Sequence, residues 1–341
     1  MKNILIIAKM DLFKQQPSNN RVDLLKFLST KKNIKIMNDK EGQTLNSWIK
    51  KTKKRINWEP DVLIYYFLSR QEKWTKISIK DFNKSHNKLP RYMIFEDSHY
   101  YQVAIPLYKK YNFQLLLKPQ KRSVLDEHYK RENVNIDYWG YFIDSDKFKM
   151  RKLKDGFKYD ILLYGFIQPQ VYPLRVKYFE ILKFLTERSN LRIKYVQHPG
   201  YYSGSLEKLP KNEELSKIIN ESRFTLVSSS VFTILLKKYM EVPMSGSTMI
   251  GDVPPDYPEL KNAMIEISRE ADHDAIIAKL KDAFDNKYIE VEKESRRYGQ
   301  KISRTKNFKA GYELLNNIVE NTYSSSSGFS TDLPTSVDPA I

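Results

Sequence analysis

The chain has 341 residues, of which 41% are hydrophobic and 29% charged, and its 58 lysines and arginines exceed its 41 aspartates and glutamates to give a net charge of +17. This length suits two domains of ordinary size, and the absence of cysteine excludes disulfides, cysteine-based zinc sites and thiol catalysis. No apolar run approaches the roughly 20 residues that a membrane-spanning helix needs, so we expect a cytoplasmic protein without a transmembrane segment.

The first half of the sequence alternates predicted strands and helices. Residues 3–9, NILIIAK, form a continuous apolar run, which is typical of a strand that is buried on both faces. Further strands are predicted at 33–37, 61–68, 93–95, 115–117 and 138–143, with helices at 21–32 and 45–56. The second helix carries the one dense basic run of the chain, at 50–55, where a solvated surface is the default expectation. The alternation predicts a mostly parallel α/β sheet.

A polar stretch at 145–159 interrupts the pattern, and a second series of strands and helices follows it. Strands are predicted at 160–163, 192–196, 224–227, 248–250 and 263–267, with helices at 174–187 and 272–284 and a long helical stretch at 288–319. We therefore predict an N-terminal domain at 1–150 and a C-terminal domain at 151–322. The Ser-rich segment 323–341 has no periodicity and is predicted to be a disordered tail.

The segment 235–260, LLKKYMEVPMSGSTMIGDVPPDYPEL, predicts a helix, a turn of small residues, a short buried strand and a Pro-rich loop. Lys237 and Glu241 share one helix face, where a surface ion pair would contribute only about 0.3–0.5 kcal/mol. The alternative is a ligand site, because strand ends and adjoining helix termini form the crevice of open α/β sheets. Lys237 and Lys238 could then face a diphosphate, and Glu241 could accept the hydroxyls of a ribose.

The stretch KYMEVPMSGSTMIGD resembles the donor-site segment of GT-B glycosyltransferases, whose approximate pattern is K-x-x-E-x-x-A-x-G-x-x-x-I. It is most similar to the CgeB-like and group 1 glycosyltransferases. The resemblance implies that Glu241 holds the ribose of the donor nucleotide and that Gly246 lets the chain approach the donor. Thr233 stands where many retaining members carry a second glutamate.

Two more stretches resemble the same family. YWGYFIDSDKF, at 138–148, is similar to the end of the family's first domain. Its Asp144 and Asp146 also fit a metal-binding DxD, but their place between two α/β units favours the interdomain interpretation, so we expect no metal. DILLYG, at 160–165, resembles the strand that precedes the donor phosphates, which implies roles for Gly165 and Arg175. An ordinary strand-to-helix turn with a solvated arginine is the alternative.

Candidate catalytic residues lie in the sequence FEDSHYY, at 95–101, which closes a strand of the first domain. An inverting transfer needs a general base for the acceptor hydroxyl, and Asp97 and His99 are the best candidates. Helix capping by Glu96 and Asp97 is the alternative. In the second domain, His198 and Ser230 follow strands and could line the donor pocket, although a plain loop histidine and an ST-turn would explain them equally.

The resemblance thus implies an α/β protein with two Rossmann-like domains that face each other across a cleft, in which the C-terminal helix can pack back on the first domain. It implies a metal-independent transfer of a hexosyl or related sugar from a nucleotide-sugar donor to a glycan, lipid or protein acceptor. No cofactor is expected, nucleic acid is not expected as a partner, and the oligomeric state is left open. The candidate donor-binding residues are Gly165, Arg175, His198, Ser230, Lys237, Lys238, Glu241 and Gly246.

Two alternatives remain beside this function. The net charge and the 23 tyrosines would also suit a basic nucleic-acid-binding protein. Thr233, in place of a glutamate, would also suit a sugar-nucleotide-binding protein that has lost catalysis.

Overall fold

The computed structural model describes residues 1–10, 20–67, 76–82, 89–197, 210 and 212–325. They form two parallel sheets, one of six strands and one of five, with helices on both faces of each. This confirms the predicted α/β architecture with two Rossmann-like sheets. Within the described ranges, no helix is both long and apolar enough to cross a membrane.

The first sheet has the strand order β2-β1-β3-β4-β5-β6. Its strands are β1 (Ile4–Ala8), β2 (Ile34–Asn38), β3 (Val62–Phe67), β4 (Arg91–Phe95), β5 (Leu115–Lys118) and β6 (Ile136–Tyr138). The helices of this half are α1 (Asn20–Ser29), α2 (Leu45–Ile56), α3 (Tyr101–Lys110) and α4 (Ser123–Arg131). Every residue of β1 is fully buried, because α1 packs on one face of the sheet and α2 and α3 pack on the other.

The second sheet has the order β11-β10-β9-β7-β8. Its strands are β7 (Tyr159–Gly165), β8 (Ile193–Gln197), β9 (Ser222–Val227), β10 (Thr248–Gly251) and β11 (Met264–Glu266). The helices that follow β7 are α5 (Pro173–Arg188), α6 (Asn212–Asn220), α7 (Lys238–Met244), α8 (His273–Phe284), α9 (Ile289–Thr305) and α10 (Phe308–Ser325), with a 3₁₀ turn at Pro258–Asn262. Helices α5 and α8 cover one face of this sheet, and α7 and α9 cover the other.

The C-terminal helix returns to the first domain. The predicted helical stretch 288–319 is divided at residues 306 and 307 into α9 and α10. Phe308, Leu315 and Val319 of α10 pack with β1 and α1 in the first core, as expected for a helix that packs back. The predicted tail lies outside the described residues from 326 onward, and α10 itself extends to Ser325.

The predicted strand at 138–143 is wrong. Strand β6 ends at Tyr138, and Gly140 at φ +80° takes the chain out of the sheet. The apolar run that follows is buried for another reason. Trp139 and Phe142 fill the core of the first domain, whereas Tyr141 and Ile143 fill the core of the second. The run is therefore a junction between two cores.

Candidate active site

Three of the predicted donor-binding residues meet at the carboxyl end of β7. Gly165 closes this strand at φ +103°, a conformation that glycine adopts easily. A Cβ added there would lie 2.8 Å from Nζ of Lys238 and 3.4 Å from Nη1 of Arg175. The backbone of Gly165 thus lies directly against two cations from two different helices. A glycine is needed here because any side chain would occupy the space between them.

Arg175 and Lys238 are buried. Arg175 lies over the Tyr172 ring, 3.8 Å from its centroid, and donates to the Phe166 carbonyl at 2.7 Å. It is therefore not the solvated arginine of the alternative interpretation. Lys238 donates to the carbonyl of Tyr164, and burial, reinforced by the nearby Arg175 charge, shifts the pKa of its ammonium well below the ordinary value. An anion at this point would relieve the repulsion between the two cations.

Glu241 lies one helical turn beyond Lys237, and its carboxylate accepts a hydrogen bond from the Tyr164 hydroxyl at 3.0 Å. Only 6% of the residue is exposed. Burial raises the pKa of this carboxyl, while Lys237 and Lys238 favour its charged form. This burial excludes the solvent-exposed ion pair between Glu241 and Lys237 that the sequence allowed. The Glu241 carboxylate instead lies close enough to Lys238, one of the two cations at Gly165, to interact with its charge.

Gly246 is not brought to this cluster. It follows the opposite end of α7 at φ +92°, where an added Cβ would lie 3.0 Å from Cγ of Met150 and 3.3 Å from Oδ1 of Asn220. The close approach that the glycine permits is therefore to the linker and to α6.

Across the cleft, Glu96 follows β4 and is buried. Arg21 of α1 contacts its Oε2 at 2.6 Å, and the Tyr66 hydroxyl donates to its Oε1. Burial alone would raise the pKa of this carboxyl, but the Arg21 guanidinium, with Lys237, holds the pKa of Glu96 at about 2. Nζ of Lys237, from the second domain, lies 3.8 Å from the same Oε2. One carboxylate thus joins cations from both domains.

Asp97 and His99 lie in the loop between β4 and α3, where the Asp97 carbonyl accepts the Tyr100 amide at 2.9 Å. The His99 ring packs against Phe232, with centroids 4.7 Å apart. Burial raises the pKa of Tyr172, and the negative charge of Asp97 adds to that effect. His99 therefore contacts the second domain through Phe232, and Asp97, two residues earlier, is near enough for its charge to act on Tyr172 of the same domain.

Ser230 and the aspartate pair have local partners. The Ser230 hydroxyl accepts the Phe232 amide at 3.3 Å, which is the ST-turn of the alternative interpretation. Asp144 pairs with Lys147 at 3.1 Å and accepts the amide of Asp146. His198 lies outside the described residues.

No protein-family model and no curated protein matches this sequence. Solved structures do match it, at low identity. HepE from Anabaena, in complex with UDP and glucose, superposes with a TM-score of 0.55 at 8% identity and covers 94% of this chain and 100% of its own. Sucrose-phosphate synthase from Thermosynechococcus elongatus superposes with a TM-score of 0.57 at 11% identity, and the match covers 95% of this chain and 100% of the synthase. An alpha-glucosyltransferase in complex with UDP and a 13-mer DNA superposes with a TM-score of 0.54 at 11% identity, and the match covers 93% of this chain and 99% of that enzyme.

The fold is GT-B. These similar structures share the two-sheet architecture over nearly their whole lengths, and at these identities the likeness shows the fold alone. The finer resemblance to CgeB-like enzymes stays a prediction.

In this GT-B fold, a second set of contacts joins the domains beside the cleft. Asp256 accepts from Arg122 at 3.2 Å and from the Ser123 hydroxyl at 3.0 Å at the start of α4. The Lys121 amide donates to the Tyr257 hydroxyl at 3.1 Å. The Pro-rich loop of the 235–260 segment is thus hydrogen-bonded to the start of α4 in the first domain. The sequence did not predict this contact.

Sequence reasoning also missed Arg21, Tyr66, Tyr164 and Asp252. Asp252 directly follows β10 and is buried, where it accepts the Ser229 amide at 2.8 Å and the Tyr239 hydroxyl at 3.1 Å. It fixes the loop after β9 to α7. Its position after a predicted strand was a usable signal, because polar residues at the carboxyl ends of parallel strands gather at one edge.

Proposed function

We propose that this chain is a glycosyltransferase that moves a sugar from a nucleotide-activated donor to an acceptor hydroxyl, without a metal ion. One observation carries the proposal. Gly165, Arg175 and Lys238 converge at the end of β7, with Glu241 on the next turn of α7. A nucleoside diphosphate has the matching chemistry, namely a diphosphate for two cations and a ribose for a carboxylate.

The diphosphate would bind at Gly165. Two buried cations and a backbone free of a side chain provide a positive, closely approachable surface. During transfer, negative charge accumulates on the departing diphosphate, and cations fixed in place beforehand stabilise it more than mobile ones do. The basic side chains thereby take the part that a divalent cation has in other transferases, which is why we propose a metal-independent reaction.

The ribose would bind at Glu241, whose carboxylate can accept two vicinal hydroxyls. The Tyr164 hydroxyl already donates to one of its oxygens, which fixes the orientation of the group. Lys237 and Lys238 favour the charged, accepting form of this carboxyl. Ser230 and His198 remain candidates for further donor contacts.

The acceptor would enter from the first domain, where Asp97 and His99 are the candidates for the general base. Glu96 is unsuited to that role, because Arg21 and Tyr66 occupy its oxygens and a pKa of about 2 makes it a weak base. Closure of the two domains would exclude water, which otherwise hydrolyses the donor. The acceptor, a glycan, lipid or protein, is proposed from family resemblance alone.

The proposal is tested by thermal unfolding with UDP and GDP, each with and without EDTA. We expect one of them to raise Tm by several degrees, equally in EDTA, because ligands that bind only the folded state stabilise it. Glu241→Ala should abolish the shift and leave the far-UV circular dichroism unchanged. Glu266→Ala, which removes a half-exposed carboxylate of the same sheet, should keep the shift.

An unchanged shift in Glu241→Ala would refute the assignment of the ribose site. Slow hydrolysis of a sugar nucleotide by the wild type would then distinguish a transferase from a protein that only binds the donor. Comparison of a panel of sugar nucleotides in the same assay would show whether the donor sugar is a hexose.

A further inference from the structure

Glu96, Arg21 and Lys237 form a buried charge cluster that spans the cleft. Arg21 and Glu96 belong to the first domain and Lys237 to the second, where it immediately precedes α7. Both cationic groups contact the same oxygen, Oε2 of Glu96, at 2.6 Å and 3.8 Å. The side chain of Glu96 is 6% exposed, and that of Lys237 is 16% exposed. Solvent therefore screens these charges weakly.

Without the Glu96 carboxylate, Arg21 and Lys237 would face each other as like charges with no acidic group between them. Burial lowers the pKa of Lys237 to about 8, and the Arg21 charge adds to that decrease, whereas Glu96 and Glu241 oppose it. Arg21 and Lys237 thus repel each other across the domain boundary. Arg21 cannot relieve this repulsion by losing its proton, because the ion pair with Glu96 raises its pKa.

We propose that Glu96 is a positioning residue that holds the domains closed, because it neutralises the repulsion between Arg21 of one domain and Lys237 of the other. The closed arrangement keeps Lys237 one helical turn from Glu241. This inference rests on the proposed function for its effect on catalysis, but the closure itself can be measured without any donor.

The direct test is the interdomain distance. The chain has no cysteine, so Lys54→Cys on α2 and Lys281→Cys on α8, both exposed, give one labelled pair for pulsed electron paramagnetic resonance. At pH 7 the wild type should show a single short distance, and Glu96→Gln should lengthen and broaden it. Arg21→Met/Glu96→Gln should restore the short distance, because it removes the repulsion together with the carboxylate.

A control variant separates this effect from general loss of a glutamate. Glu132→Gln removes a carboxylate of the first domain that pairs with Lys109 and is half exposed. It should leave the distance unchanged. An unchanged distance in Glu96→Gln, or a double variant as open as the single one, would overturn the proposal, and retained circular dichroism shows that either variant is folded.

The pH dependence gives a second readout. At pH 7, Glu96→Gln should lower kcat/KM for donor hydrolysis about 10-fold, which corresponds to one pKa unit of lost interaction. Above pH 9 Lys237 is neutral in both proteins, so the variant should recover towards the wild type. A constant deficit from pH 6 to 9.5 would contradict the positioning role. If the wild type neither binds nor hydrolyses any sugar nucleotide, the proposed function fails, while the distance measurement still decides the role of Glu96.

Discussion

At the scale of single residues, the candidate donor site depends on one backbone conformation. Gly165 has φ +103°, and two buried cations occupy the space where a side chain would lie. The nearest of them, Nζ of Lys238, also donates to the Tyr164 carbonyl, so it cannot retreat without losing a buried hydrogen bond. The position therefore combines a conformational and a steric requirement for glycine.

Gly165→Ala should abolish the nucleotide-induced rise in Tm or weaken nucleotide binding at least about 10-fold. A tenfold loss requires the displaced cations to lose only about 1.4 kcal/mol of interaction with the diphosphate. Isothermal titration with UDP or GDP measures the change. Gly156→Ala is the matched control, because Gly156 also has positive φ, +75°, but an added Cβ meets nothing within 4 Å. Both variants should lose roughly 1–2 kcal/mol of stability, because a Cβ disfavours the positive φ that both positions have. Equal nucleotide affinity in the two variants would argue against a diphosphate at Gly165.

At the scale of elements, α7 determines where the site lies. This seven-residue helix is buried along its whole length and carries Lys238 and Glu241. It is too short to be stable alone, so its neighbours fix it. Helix α9 packs tightly against it at Gly299, where an added Cβ would lie 2.0 Å from the Pro243 carbonyl oxygen. Helix α9, which is distant in sequence but packed against α7, thereby sets the position of the site residues on α7.

Gly299→Ala should separate α9 from α7 and lower both Tm and nucleotide affinity. Overpacking costs about 1–3 kcal/mol, which exceeds the gain of at most about 1 kcal/mol that alanine brings to a helix interior. Differential scanning calorimetry and a nucleotide titration measure the two effects. Gln300→Ala, at the exposed neighbouring position, should be neutral. A higher Tm in Gly299→Ala would mean that helix propensity prevails over the close contact.

The sequence pattern predicted most elements but misjudged two of them. Apolar runs identify buried strands well, since a strand buried on both faces has few polar residues. The same rule failed at 138–143, because an apolar run that fills two cores has the same composition as a strand. The predicted long C-terminal helix conceals a break at residues 306 and 307, where the Lys306 carbonyl oxygen accepts a hydrogen bond from the Ile143 amide at 2.8 Å.

At the scale of the whole molecule, the net charge of +17 is spread over the surface rather than confined to the cleft. The dense basic run lies on the outer face of α2, where Lys50, Lys51 and Lys54 are exposed and Leu45 and Ile49 face the core. Of the two tryptophans that α2 and its C-terminal flank contribute, Trp58 is buried and Trp48 is partly buried, so neither offers a fully exposed ring to stack on bases. This distribution favours weak, charge-only attraction to polyanions.

Binding of a labelled oligonucleotide should therefore be weak and independent of base sequence. Its affinity for duplex DNA should fall with salt along a log–log slope no steeper than about −4.5, as expected for roughly five phosphate contacts. Lys50→Ser/Lys51→Ser/Lys54→Ser should flatten the slope. Removal of three exposed lysines from the second domain, Lys281→Ser/Lys287→Ser/Lys293→Ser, should change it less. Tight binding that persists at high salt and depends on sequence would instead support the nucleic-acid alternative.

The sequence by itself determined the α/β class, the two sheets, most strands and the identity of the residues that gather at the end of β7. These follow from local patterns, because strand burial, helix periodicity and the glycine that ends β7 each involve neighbouring residues. The segment 235–260 could thus be recognised as a candidate donor site, and Glu241, Lys238 and Gly165 could be named.

Only the tertiary structure decided which charges meet. Arg21, Glu96 and Lys237 lie far apart in the sequence, and each has an ordinary local explanation as a helix or strand-end residue. Their contact exists because α1 and the end of β4 in the first domain meet the start of α7 in the second. Local periodicity contains no information on that pairing, since the energy of a buried charge depends on every group around it.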